Sequence, residues 1–156
     1  MSQIASAYTV STAVLEKLAT AAASKQFDQF WQTLFREGRE VTPAYSYSGY
    51  VVAVAVSFVS EQGIALPLNA SLPATATLTQ SELSPVVVAS MEEAREAATR
   101  MAGIGKSGEE LQAYFEEFTA DEWDESAKAM REALDFIKRA LTQPTIEIPW
   151  CLMFVG

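Results

Sequence analysis

The sequence predicts an α+β domain, a small sheet of about three to five strands packed against about four helices. Three observations point there. Hydrophobic residues make up 49% of the 156 residues, enough for a core without disulfides or metal. The runs Tyr50–Val59 and Trp150–Val155 are short and almost wholly apolar, the pattern of strands covered on both faces. Between them, three hydroxyl residues each precede a glutamate by three positions, the mark of a helix N-terminus. The length suits one domain over residues 1–156, with no repeat, low-complexity tract or linker to divide it.

The elements follow in chain order. Leu15, Leu18, Ala22, Phe27, Phe30, Trp31 and Leu34 recur near helical spacing, so residues 12–36 read as one helix. Ser11 or Thr12 caps it, Ser24 is its weak point and Gly38 follows its end. Residues 42–49 form a turn-rich link. Tyr50–Val59 reads as the clearest strand, with large residues on one face and small ones on the other. Ile64–Leu68 is a candidate return strand weakened by Pro67. Ala74–Thr79 alternates and reads as an edge strand or an extended loop. Pro85–Val88 reads as a short strand leading into a helix.

Three helix starts come next. Ser90 with Glu93 opens a helix to about Ala102, Ser107 with Glu110 one to about Phe118, and Thr119 with Glu122 the longest, to about Leu141. The last carries the stripe Trp123, Ala127, Met130, Leu134, Ile137 and Leu141. Its opposite face sets Asp124–Lys128, Lys128–Glu132, Arg131–Asp135 and Asp135–Arg139 four apart. Thr145–Val155 reads as a strand interrupted at Pro149, and its apolar end places it centrally in a sheet shared with Tyr50–Val59.

Composition excludes much chemistry. There is no histidine and one cysteine, Cys151, so neither a disulfide framework nor a recognisable zinc set exists. Histidine-based hydrolases and histidine-ligated iron are excluded with them. No cofactor and no metal is expected, and catalysis is not the leading expectation. Cys151, in an apolar strand without a base, reads as an inert core thiol. The net charge of −9, with scattered basic residues, argues against nucleic acid as a ligand. No apolar run reaches the length of a membrane span, and the first basic residue is Lys17. The expected setting is cytoplasmic, without membrane association.

The strongest functional signal is charge imbalance. Glu109 to Glu125 hold eight acids and no base, interleaved with Tyr114, Phe115, Phe118 and Trp123. Such a segment favours encounter with a basic partner, with Glu116, Glu117, Asp121 and Asp124 as steering charges and Tyr114 or Trp123 as anchors. The competing explanation is ordinary: acids favour the first turns of helices, and the aromatics are then core. The alternate ligands and glycine of an EF-hand loop are absent from Asp121–Ser126. Gly103–Ser107 resembles the end of a phosphate loop, but its leading glycine position is Arg100 and a helix precedes it. It reads better as a turn capped by Ser107.

A second candidate is the hydroxyl-rich loop of Tyr45, Tyr47 and Tyr50, suited to a small polar pocket or to half-buried packing. The leading expectation is thus a non-catalytic interaction protein, of the immunity or inhibitor kind, binding a basic partner through an acidic helical face. The alternative is a small-molecule binder or histidine-free enzyme with a pocket near Tyr45–Tyr50. A third reading is a homo-oligomer subunit.

Overall fold

A computed structural model describes residues 3–156, and these form an α+β fold of one four-stranded antiparallel sheet and seven helices. In chain order the elements are β1 (Ala5–Val10), α1 (Thr12–Ala23), α2 (Phe27–Glu37), β2 (Arg39–Glu40), α3 (Gly49–Glu61), α4 (Pro73–Gln80), β3 (Val87–Ser90), α5 (Met91–Met101), α6 (Gly108–Thr119), α7 (Ser126–Thr142) and β4 (Trp150–Val155). The strand order is β2-β1-β4-β3.

The two-residue period of β1 and β4 sorts their side chains onto two faces. Tyr8, Val10, Trp150, Leu152 and Phe154 pack with α1, α2 and α4. Ala5, Ala7, Cys151 and Met153 pack with α3, α5, α6 and α7. The second face is mostly small, so helices come close: the Cys151 thiol reaches the Ala140 carbonyl of α7 at 3.4 Å. Helices therefore cover the sheet on both sides, and β4 is central, as its apolar sequence indicates.

Several expectations are corrected. Tyr50–Val59 is helical. Ser48 caps α3, its hydroxyl accepting from the Tyr50 amide at 3.3 Å, and Val51, Val52, Val54, Ala55, Phe58 and Val59 are all buried. A helix enclosed on most sides shows no amphipathic period, so its apolar run mimics a buried strand. The sheet partner is instead β1, a six-residue strand that opens on Ala5, Ser6 and Ala7 and so gave little apolar signal. The single helix expected over 12–36 is two, broken where Lys25 takes φ 55°; Ser11 caps the first by accepting from the Val14 amide at 3.2 Å.

Ala74–Thr79 is helical too. Pro73 stands at the first helical position, where its missing N–H costs nothing, and the Thr77 hydroxyl donates to the Pro73 carbonyl. Of Ile64–Leu68 only a parallel bridge from Leu68 to Val88 is formed. The Ser90–Glu93 box is present in full, and Ser107 accepts from the Glu110 amide at 3.2 Å. Thr119, however, ends α6. Its hydroxyl donates to the Phe115 carbonyl and accepts from the Asp121 amide, Ala120 turns left-handed at φ 60°, and α7 starts only at Ser126. Asp124 thus precedes the helix. Among the described residues none of the four pairs set four apart closes into an ion pair. Arg131 and Arg139 donate instead to the carbonyls of Lys106 and Pro43.

Candidate functional site

The acidic segment runs along α6 and through the turn before α7. Glu109, Glu110, Glu117, Asp121, Glu122, Asp124 and Glu125 are exposed and Glu116 is half-buried. Among the described residues only Glu110 has an ionic partner, Lys106 at 3.3 Å, while Glu116 accepts from the Gln112 amide at 3.0 Å. Leu111 and Phe115 turn inward, so the apolar stripe of α6 holds its carboxylates outward.

The aromatics divide. Phe115 is buried. Trp123 is half-buried between Phe115 and Tyr47. Tyr114 is half-buried, set edge-on against Phe58 and stacked with Phe118. Its hydroxyl is closed off from solvent beside the Glu61 carboxylate. Burial first, then the Glu61 carboxylate and the charge of Glu117, push the Tyr114 phenol above its ordinary value. Phe118, 48% exposed, is the outermost ring. With Tyr114, Glu61 and Glu117 it lines a depression of about 280 Å³. Two carboxylates beside an open ring suit a lysine or arginine side chain. Glu61 lies at the end of α3, far from the segment in sequence, and no spacing could have signalled it.

The three loop tyrosines do not share one pocket. Tyr45 donates its hydroxyl to the Ala129 carbonyl of α7 at 2.9 Å and rests against Phe136. Burial, and then the Glu132 charge, push its phenol well above the ordinary range. Tyr47 faces Trp123, which joins the loop to the acidic turn. Tyr50 is 41% exposed. Tyr45 alone also borders a cleft of about 570 Å³, whose walls include Tyr8, Trp31, Phe35 and Phe154. Tyr47 and Tyr50 stand outside it.

Cys151 is fully buried, and burial pushes its thiol up to about 12. That environment holds it protonated and non-nucleophilic. Among the described residues no three carboxylate or thiol groups converge as a metal site, and no helix is long and apolar enough to cross a membrane. Comparison of the chain with protein families, with curated proteins and with solved structures finds no match to any of them.

Proposed function

We propose that this chain is a non-catalytic interaction protein that docks a basic protein partner through residues 109–125, in the manner of an immunity protein or inhibitor. One observation carries the reading: the carboxylates of this segment stand outward, almost all without a cationic partner of their own. Such a surface is left to be neutralised by an incoming cation, which raises encounter rates and fixes orientation. Glu116, Glu117, Asp121 and Asp124 supply the field. The depression at Glu61, Glu117, Tyr114 and Phe118 receives one basic side chain, and Trp123 packs the acidic turn edge-on against Tyr47. A cytoplasmic setting fits a chain with a single, buried cysteine.

A lysine-rich helical peptide is the direct probe, titrated at low and high salt. Saturable binding that weakens as salt rises, and that Phe118→Ala or Glu117→Gln reduces several-fold, supports the reading. Equal binding of a glutamate-rich peptide, or indifference to both substitutions, contradicts it.

A further inference from the structure

The aromatic cleft lies on the other side of the sheet from α6, and its construction follows from strand register. Tyr8 of β1 stands directly across from Glu40 of β2, and Ser6 across from Phe154 of β4. Residues opposed in this way share a face, so Glu40, Tyr8, Ser6 and Phe154 all point toward α2. That helix contributes Trp31 and Phe35. Trp31 meets Phe154 edge-on at 5.1 Å and stacks with Phe35 at 5.8 Å. Phe35 lies 6.1 Å from Tyr8.

Phe35 is 62% exposed, an unusual position for a ring packed against buried Tyr8 and half-buried Trp31. Glu40 is the cleft's one charged side chain and has no ionic partner among the described residues. Arg36 and Arg39, its near neighbours in sequence, are exposed and stand outside the lining. Glu40 lies close enough to Tyr8 that, after burial, its charge raises the phenol.

We propose that this cleft binds a small organic cation, an ammonium or quaternary ammonium group carried on an apolar body. The aromatic faces attract the cation through their quadrupoles, Glu40 neutralises it, and the apolar walls take up the attached body. An anion is repelled by Glu40, and a neutral ligand gains no charge pairing from it. The volume of about 570 Å³ lies in the range of small-ligand sites. The site shares no residue with the acidic docking face, so each stands or falls separately.

The test is titration of the intact chain with phenyltrimethylammonium, followed by chemical-shift changes at the indole N–H groups. Its neutral isostere tert-butylbenzene and the anion benzoate serve as comparisons. The expected result is saturable binding of the cation that shifts the Trp31 signal, identified with Trp31→Phe. Glu40→Gln and Phe35→Ala should each weaken it by about tenfold, and benzoate should not bind. Both changes are at exposed side chains, and an unchanged unfolding midpoint checks that the fold is kept. No saturable binding in the millimolar range overturns the proposal. So does equal affinity for tert-butylbenzene, or cation binding that neither substitution weakens.

Discussion

Tyr47 and Trp123 meet edge to face, their ring centroids 5.7 Å apart at an interplanar angle of 75°. This pair ties the loop before α3 to the turn before α7, so the acidic turn owes its position to a ring from a distant part of the chain. The two stretches that the sequence presents as separate candidates, the tyrosine loop and the acidic segment, meet here through this pair. Edge-to-face pairs contribute about 0.5–1.5 kcal/mol beyond their burial. A double-mutant cycle with Tyr47→Leu and Trp123→Leu, read by urea unfolding, is expected to return a coupling of that size. Additive losses would mean that the rings do not support one another.

Gly49 is required by close approach. A Cβ there would stand 2.7 Å from the Ala5 amide nitrogen and 2.7 Å from the Ile4 carbonyl carbon, both backbone atoms. The Gly49 amide donates to the Gln3 carbonyl at 2.8 Å, which fixes α3 against the start of β1. Gly49→Ala should therefore cost about 1–3 kcal/mol through overpacking. Gly105→Ala, with nothing within 4 Å, should change stability by under about 0.5 kcal/mol. Urea midpoints of the two variants compare them directly.

The Ser90–Glu93 box does more than cap α5. One Glu93 carboxylate oxygen accepts from the Ser90 amide at 3.0 Å and from the Asn69 side-chain amide at 2.7 Å. Asn69 in turn organises the start of α4 through Ser71 and Thr75. Ser90→Ala should cost about 1 kcal/mol, the value of a cap. Glu93→Ala should cost more, about 1–3 kcal/mol, because it also strands the Asn69 donor. Equal losses in thermal or urea unfolding would show that the Asn69 link is idle.

The buried thiol gives the fold a signed pH dependence. With its folded value raised from 9.0 to about 12, Cys151 contributes stability that is complete below the ordinary value. That contribution is lost as pH rises toward the folded value, since the unfolded chain releases its proton first. Tyr8, Tyr45 and Tyr114 are raised in the same direction and add to the loss above about 10. Unfolding midpoints should fall across this alkaline window, and less steeply in Cys151→Ala. Iodoacetamide should leave the native thiol unmodified and label it once urea unfolds the chain.

What the sequence revealed, and what it hid, has a physical pattern. Features written in local chemistry were legible: the caps at Ser11, Ser90 and Ser107, the Met130, Leu134, Ile137 and Leu141 stripe of α7, though not its expected start at Trp123, and the centrality of Trp150–Val155. Features decided by surroundings were not. The valine run of α3 suits a strand, but burial between α7 and the sheet makes it helical, overriding a weak local preference. Thr119 and Glu122 have the spacing of a box, yet the Thr119 hydroxyl is already committed to the end of α6. Of the candidate site, the acid-rich stretch was plain in the order of residues. Glu61 and the Tyr8–Glu40 register were not, because only the tertiary fold brings them beside Phe118 and Phe35.

The docking face is tested most directly by two variants of equal net charge. One reverses Glu116, Glu117, Asp121 and Asp124 to lysine, and the other reverses Glu16, Asp28, Glu92 and Glu147, which are exposed outside that segment. Association with the lysine-rich peptide is followed by stopped flow at low salt. The first variant should associate about tenfold to a thousandfold more slowly than the parent, while the second stays close to it. Equal slowing of both would place the attraction in the overall charge of the molecule and contradict a docking face on residues 109–125.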